Sequence, residues 1–282
     1  MTASDPDDRP LLAGVMGWPV AQSRSPRLFD HWFGTHGLPG RYVPLAVREA
    51  DFAEVYRALP KAGFRGVNVP IPHKRPALAL ADAATDAARA IGAANMIRFE
   101  PDGRILADNT DAYGFLESLR AKAPDWHGDF GPALVLGAGG AARAVVHALL
   151  GAGVPEIRLA NRTAENAEAL AREFGPRVSG VAWEERADAA DGAALLVNTT
   201  SLGMTSKPPL HMPLEALPGH AVVLDIVYVP LETPLLAAAR ARGLTPVDGL
   251  GMLLHQARPA FRAWFGIDPE VDAALREACL AP

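Results

Sequence analysis

Short apolar runs alternate with longer, alanine-rich segments of helical spacing along the whole chain. The apolar runs have the length of buried strands, and turn residues or a helix start follow each of them. This alternation is typical of βα units around a mostly parallel sheet, and therefore of an α/β fold. The predicted strands are residues 11–17, 42–47, 66–69 and 95–99 in the first half, and 133–136, 157–160, 194–198 and 222–226 in the second.

A break in this pattern divides the chain into two αβ regions. Residues 113–119 have helical spacing and lead into 123–128, a stretch rich in helix breakers and turn formers that predicts a linker. A second αβ series begins at Pro132. From Gly251 the chain is predicted to be helical twice, with a break at residues 265–269.

Composition narrows the classes of function. The net charge of −5 comes without any long run of Lys and Arg, which argues against a groove for nucleic acid or for a membrane surface. The single cysteine, Cys279, excludes an intrachain disulfide and a cysteine-based metal site, and the eight scattered histidines predict no metal site either. Residues 1–10 lack the pattern of a signal peptide, so we expect a cytoplasmic protein.

Residues 132–150 read as a buried strand, a glycine turn and a helix. Gly137, Gly139 and Ala142 match G-x-G-x-x-[GA], the pattern that lets a pyrophosphate approach the backbone at a helix N-terminus. Glycine also serves purely structural turns. The strand before the turn and the helix after it favour a dinucleotide site.

The next predicted strand ends at Asn161, Arg162 and Thr163. A domain selective for NAD usually has an acid here that holds the ribose 2′-hydroxyl, whereas an amide and a guanidinium suit the 2′-phosphate of NADP. Alternatively, Arg162 is a solvated surface residue and Thr163 merely caps the following helix. Asn166 stands where a second cation would strengthen the phosphate site, so incomplete selectivity is also open.

Three polar clusters interrupt the N-terminal half. In the first, Ser25 followed by Pro26 predicts an N-cap and first helical residue, and together with Ser23 it forms a hydroxyl-bearing helix start suited to a carboxylate. In the second, a strand ends in a proline-bound turn that presents Lys74 at the carboxyl edge of a sheet, where αβ folds place ligands. The alternatives are that Ser25 only caps the helix and that Lys74 is a solvated surface residue.

The third cluster combines Asn95 with a predicted turn at residues 108–111 that ends in Asp111. On its own, this turn is explained as a cap of the next helix. The order of all the motifs carries more information. They are S-x-S-P at 23–26, N-V-P-x-P-x-K at 68–74, G-A-A-N at 92–95, N-T-D at 109–111, G-A-G-G-A-A-R at 137–143, N-R-T at 161–163, N-T-T-S-L-G-M at 198–204, D-I-V-Y at 225–228, T-P-L-L at 233–236 and G-M-L-L-H-Q-A at 251–257.

In this order the motifs resemble those of the shikimate/quinate dehydrogenase family over roughly residues 11–276. The resemblance implies an NADP-dependent oxidoreductase that reversibly reduces 3-dehydroshikimate to shikimate in the biosynthesis of chorismate and the aromatic amino acids. It also implies a small-molecule substrate and a monomer or homodimer. The implied domains are a substrate-binding catalytic domain of residues 1–115, to which the C-terminal helices of 250–282 return, and a Rossmann-like NADP-binding domain of 116–249.

The resemblance also assigns roles to individual residues. Lys74 and Asp111 would be the catalytic pair. The substrate would be bound by Ser23, Ser25, Asn95, Tyr228 and Gln256, and the cofactor by Gly137, Ala138, Gly139, Gly140, Ala141, Asn161, Arg162, Thr163, Thr200, Ser201, Met204, Ile226 and Gly249.

Three positions depart from the family pattern. Pro70 and Met96 each replace a threonine near the implied substrate site, and Ala112 replaces a glycine without expected consequence. Two lost hydroxyls leave open a relative that oxidises quinate or another cyclic hydroxy acid. A sensor that binds NADP without catalysis is a further alternative, against which the presence of both Lys74 and Asp111 argues.

Overall fold

The computed structural model describes residues 9–281, so most of the opening segment 1–10 lies outside the described residues. The chain divides into two compact units. One contains the described residues up to Thr110 and those from Gln256 onward, and the other is Asp111–His255. These divisions lie a few residues from the predicted boundaries at 115/116 and 249/250.

The first unit has a six-stranded mixed sheet in the order β2-β1-β3-β5-β6-β4. Three of its five strand pairings are parallel, and β5 runs antiparallel to both of its neighbours. The elements are β1 Leu12–Gly17, α1 Ser25–Thr35, β2 Arg41–Ala46, α2 Phe52–Ala58, β3 Gly66–Asn68, α3 Lys74–Ala79, β4 Ala83–Ala84, α4 Asp86–Ile91, β5 Met96–Phe99 and β6 Ile105–Asp108.

The second unit has a six-stranded sheet in which every pairing is parallel. The elements are α5 Asp111–Lys122, β7 Ala133–Leu136, α6 Gly140–Gly151, β8 Ile157–Asn161, α7 Ala164–Phe174, β9 Val178–Ala182, β10 Leu195–Asn198, β11 Val222–Asp225, α8 Pro234–Ala241, β12 Thr245–Val247 and α9 Gly249–Phe265, whose C-terminal half belongs to the first unit together with α10 Ala273–Leu280.

The strand order of the second sheet, β12-β11-β10-β7-β8-β9, is that of a doubly wound dinucleotide-binding fold. The order reverses between β7 and β10, and such folds bind ligands outside the carboxyl ends of the strands at this reversal. Apolar side chains cover both faces. Val135 and Val197 pack in one core cluster, while Leu134 and Leu196 pack in the other.

All eight predicted strands are present, but four further strands were missed. These are β4, β6, β9 and β12, which have two to five residues each. Asp108, which was expected in a turn, is the last residue of β6. Within residues 9–281 no helix is long and apolar enough to cross a membrane.

Aromatic packing holds the C-terminal helices within the first unit. Phe261 is fully buried, and its ring lies 5.2 Å from that of Trp32 and 5.8 Å from that of Phe29, measured between centroids. Two indoles add hydrogen bonds, because Trp264 donates to the carbonyl of Ile97 at 2.9 Å and Trp32 to that of residue 270 at 3.0 Å. The tail of the chain is therefore an integral part of the first unit's core.

Replacing Phe261 by Ala should lower the free energy of unfolding by about 3–5 kcal/mol, because it removes a buried ring and leaves a cavity. Urea unfolding followed by tryptophan fluorescence measures the change. The matched control is Ile71→Ala, since Ile71 is 70% exposed and its truncation should change the unfolding free energy little. Equal stabilities of the two variants would contradict this account of the core.

Candidate active site

The hydroxyls of Ser23 and Ser25 lie at the start of α1, but the predicted capping role of Ser25 is wrong. Ser25 is the first helical residue rather than the N-cap, a position that Arg24 occupies without a capping side-chain bond. The backbone N–H of Ser25 instead donates to Oγ of Ser23 at 3.3 Å. Ser23 thus satisfies a free amide of the helix start.

Tyr42 connects this helix start to the centre of the first sheet. Its buried hydroxyl is hydrogen-bonded to Ser25 and donates to Oδ1 of Asn68 at 2.9 Å. Burial raises the pKa of Tyr42 well above its usual range, an effect that the Ser25 hydroxyl partly opposes. The phenol therefore stays neutral and keeps the proton that it donates to Asn68.

A second cluster of buried amides continues from Asn68. Its Nδ2 donates to the backbone carbonyl of Asn95 at 3.3 Å. The Asn95 side chain in turn donates to Oγ1 of Thr110 and to Oε1 of Gln256, both at 3.1 Å, while its Oδ1 accepts from the amide of Thr110 at 2.7 Å. The structure thus brings together Asn95 and Gln256, two predicted substrate-binding residues that lie 161 positions apart.

Lys74 is the first residue of α3 and follows the proline-bound turn after β3. Its carbonyl accepts from the amide of Ala94 at 2.9 Å, which ties the turn to the segment that carries Asn95. The preceding His73 is buried, with Nε2 at 2.8 Å from the carbonyl oxygen of Val47 and its ring stacked on Phe52. His73 therefore anchors the turn, and the Lys74 side chain is partly exposed.

Asp111, assigned to the second unit, is only 5% exposed and begins α5. A carboxylate in the first turn of a helix is stabilised by the positive end of the helix dipole. Tyr228 follows β11 and is half-buried. His255 is half-buried in α9.

The glycine turn after β7 is tight and leaves open space at the start of α6. Gly137 has a φ of 105°, and a Cβ there would meet Oγ1 of Thr199 at 2.7 Å, so only glycine fits. At Gly139, the N-cap of α6, a Cβ would meet nothing within 4 Å, which leaves open space at the helix start. Ala142 is fully buried, and its small side chain permits close packing of the helix. Ala138, Gly140 and Ala141 complete the turn and are partly exposed.

The end of β8 presents no acid. Nδ2 of Asn161 donates to the carbonyl of Thr163 at 2.8 Å, which closes a turn around the exposed Arg162. Thr163 is the N-cap of α7, but its side chain makes no capping hydrogen bond. These residues therefore fit a 2′-phosphate better than a free 2′-hydroxyl.

The remaining predicted cofactor residues surround the carboxyl ends of β10 and β11. Thr200, Met204 and Ile226 are half-buried and Ser201 is exposed. Gly249 is buried at the start of α9, where a Cβ would come within 2.2 Å of the carbonyl oxygen of Ile226. Among the residues that the structure describes, no group of three or more His, Cys, Asp or Glu is placed to hold a metal ion.

Comparison with protein families gives matches along most of the chain. Residues 15–97 match the shikimate dehydrogenase substrate binding domain, residues 126–203 match shikimate / quinate 5-dehydrogenase, and residues 249–279 match the shikimate 5′-dehydrogenase C-terminal domain. The chain is 58% identical over 270 residues to a protein of Paracoccus denitrificans named shikimate dehydrogenase (NADP(+)), with 96% of each chain covered. This chain belongs to the shikimate dehydrogenase family.

Two solved structures of the family are closely similar. Shikimate 5-dehydrogenase of Thermus thermophilus, in complex with NADP(H) and shikimate, is 40% identical with a TM-score of 0.86, covering 95% of this chain and 98% of that one. Quinate dehydrogenase of Corynebacterium glutamicum, in complex with NAD, is 31% identical with a TM-score of 0.89, covering 96% and 99%. The family and the α/β fold inferred from the motifs are therefore confirmed.

Sequence reasoning missed Tyr42 and Asn68 as candidate site residues. Asn68 is the first residue of the motif at 68–74 that ends in Lys74, and Tyr42 is the first residue of the predicted strand 42–47. The available signal was a polar side chain in a strand otherwise predicted to be buried, because such a group requires a partner.

Replacing Tyr42 by Phe should lower the free energy of unfolding by about 1–3 kcal/mol, because Oδ1 of Asn68 would lose its buried donor. Chemical denaturation of the purified variant measures the loss. Tyr113→Phe is the matched control, since this hydroxyl lies on a residue that is 37% exposed and water can replace its contacts. A Tyr42→Phe variant as stable as this control would refute the buried hydrogen-bond chain.

Proposed function

We propose that this chain is an NADP-dependent shikimate dehydrogenase, which catalyses the reversible reduction of 3-dehydroshikimate to shikimate on the route to chorismate and the aromatic amino acids. The observation that carries the proposal is the near full-length similarity to relatives of that name. The presence of Lys74 and Asp111, to which the resemblance assigns the catalytic roles, is consistent with it.

The first unit would hold most of the substrate. Ser23 and Ser25, at the start of α1, are suited to the carboxylate of the ring, because hydroxyls and the helix dipole both favour an anion. Asn95 and Gln256, already hydrogen-bonded to each other, would exchange part of that contact for the ring hydroxyls. Tyr228, on the loop after β11, is proposed as a further contact.

The second unit would hold the cofactor. When bound, NADPH supplies the hydride. The amides of the turn from Gly137 to Ala141 would bind the pyrophosphate, and Asn161, Arg162 and Thr163 the 2′-phosphate. We assign the nicotinamide end to the loops after β10 and β11, through Thr200, Ser201, Met204 and Ile226, with Gly249 beside them.

Lys74 would move the proton. In the reductive direction its Nζ ammonium donates to the substrate carbonyl oxygen, and in the oxidative direction the neutral amine accepts the hydroxyl proton. The proposed partner, Asp111, would favour and orient the charged form of the lysine. Because a positioned acid or base typically contributes about 10²–10⁴-fold to the rate, this pair accounts for much of the expected turnover.

We further propose a cytoplasmic enzyme that acts as a monomer or homodimer. The support for the compartment is that the chain has one cysteine, Cys279, and therefore no intrachain disulfide, which is typical of proteins in a reducing environment. Burial raises the pKa of the Cys279 thiol to about 11, which keeps it protonated and unreactive.

The direct test is an absorbance assay of NADPH formation with purified protein, shikimate and NADP+. We expect kcat/KM for shikimate to exceed that for quinate by at least about tenfold, and NADP+ to be preferred to NAD+ through Arg162 by a similar factor. Preference for quinate would instead favour the second candidate, which Pro70 and Met96 suggest. No turnover of any cyclic hydroxy acid, despite NADPH binding, would support the non-catalytic alternative.

Replacing Lys74 by Ala should lower kcat about 10²–10⁴-fold, because the proton donor is lost, while the dissociation constant for shikimate stays within a few-fold. Steady-state kinetics and calorimetric titration measure the two quantities. The matched control is Lys61→Ala, an exposed lysine of the same unit that has no proposed role. A kcat of the Lys74→Ala variant near that of the control would remove Lys74 from the mechanism.

A further inference from the structure

Three buried polar side chains form a network of hydrogen bonds, called here the Asp225 network. They are Asn198 at the end of β10, Asp225 at the end of β11 and Thr233 at the N-cap of α8. Nδ2 of Asn198 donates to Oδ1 of Asp225 at 2.8 Å, and the hydroxyl of Thr233 donates to Oδ2 at 2.7 Å. Asn198 and Asp225 have no exposed surface, and Thr233 is 1% exposed. The two sheet strands already pair through their backbones, so this network is additional to the sheet.

On one side the network fixes the turn after β10. Oδ1 of Asn198 accepts from the amide of Thr200 at 3.0 Å and from its hydroxyl at 2.7 Å. Nδ2 of Asn198 also donates to the carbonyl of Leu202 at 3.2 Å, and the amide of Leu202 donates to the Thr200 hydroxyl at 3.1 Å. Both polar atoms of the Asn198 side chain therefore hold the turn after β10, through its backbone and through the Thr200 hydroxyl.

On the other side the network fixes the loop after β11. Oδ1 of Asp225 accepts from the amide of Val227 at 3.0 Å, which sets the direction of the chain through Ile226. The Thr233 hydroxyl also accepts from the amide of Leu236 at 3.3 Å and so caps α8. One carboxylate thus joins the loop after β11, the turn after β10 and the start of a helix.

Packing of the core alone would not require a carboxylate here. Burying an ionised carboxylate costs free energy, and burial raises the pKa of Asp225 even though three donors oppose the shift. What a carboxylate offers and an apolar residue lacks is two oxygens that fix donors from different segments. The segments that it fixes contain Thr200, Ser201 and Ile226, to which the nicotinamide end of the cofactor is assigned above.

We propose that the Asp225 network positions the two loops that orient the nicotinamide ring, so that Asn198, Asp225 and Thr233 are positioning residues for hydride transfer. This inference rests on the proposed function. It predicts a loss of turnover without a loss of cofactor binding. A small displacement of the nicotinamide lowers the rate of hydride transfer, while the adenosine end of the cofactor remains bound.

The test compares two ligands in the variant Asp225→Asn, which keeps the shape but replaces one acceptor oxygen by a donor. We expect kcat with NADP+ and shikimate to fall about 10–100-fold. The dissociation constant of adenosine 2′,5′-bisphosphate, which lacks the nicotinamide, should stay within about twofold of that of the unmodified protein. A kcat within twofold of that of the unmodified protein would overturn the proposal. So would a loss of affinity for adenosine 2′,5′-bisphosphate as large as the loss of kcat.

A second pair of variants covers the outcome in which Asp225→Asn does not fold. Thr233→Val removes the donor to Asp225 and should lower kcat about tenfold, whereas Thr233→Ser keeps a hydroxyl and should recover most of that loss. Leu217→Ala is the matched control, because it removes a buried side chain of the same unit that has no part in the network. Equal kcat values for Thr233→Val and Thr233→Ser would overturn the proposal.

Different results would contradict the proposed function and the positioning role of the Asp225 network. If the unmodified protein shows no shikimate-dependent reduction of NADP+, the proposed function fails and the network can have no role in it. If the unmodified protein is active and the Asp225 and Thr233 variants match Leu217→Ala in kcat, the function stands and the positioning role is wrong.

Discussion

The first unit depends on one constraint, which is that polar side chains placed inside a sheet must find partners there. Tyr42 lies near the start of β2, Asn68 ends β3 and Asn95 directly precedes β5, and each is at most 6% exposed. An unpaired buried amide or hydroxyl costs about 1–3 kcal/mol, so these residues form one continuous chain of hydrogen bonds that ends at Gln256. That chain links the sheet to α9, the last long helix.

The second unit satisfies the same constraint differently. Its sheet is fully parallel and covered by apolar side chains on both faces, and the buried polar side chains of its strands, Asn198 and Asp225, are the last residues of β10 and β11. Around β7 the free amides of a helix start remain open to a ligand. Around β10 and β11 the polar groups of Asn198 and Asp225 are used in internal hydrogen bonds, and these bonds shape the backbone of the loops that follow the two strands.

Local pattern was enough to predict eight strands, the glycine turn and the place of Lys74, because each of these carries its own period or chemistry. The two-residue β4 and the three-residue β12 were missed because so few residues carry no measurable period. The sequence predicts Ser25 as a cap because the cap and the first helical residue differ only in backbone angles, which composition does not reveal. Contacts between distant segments were not predictable either. Nothing in the sequence pairs Asn198 with Asp225, because the strand order sets that contact.

The two departures from the family pattern can be judged by the constraint on buried polar groups. Pro70 lies close to Gly17, where a Cβ would meet its Cγ at 2.6 Å, and Met96 is 5% exposed at the start of β5. Neither side chain carries a polar group that needs a partner, and the neighbouring amides of Asn68 and Asn95 already have donors and acceptors of their own. Loss of two hydroxyls therefore leaves no buried polar atom of these amides unpaired. Under the proposed function, each lost hydroxyl would cost a contact with the ring substrate worth about 0.5–1.5 kcal/mol, which would change substrate affinity or preference and would not remove the proposed proton donor, Lys74.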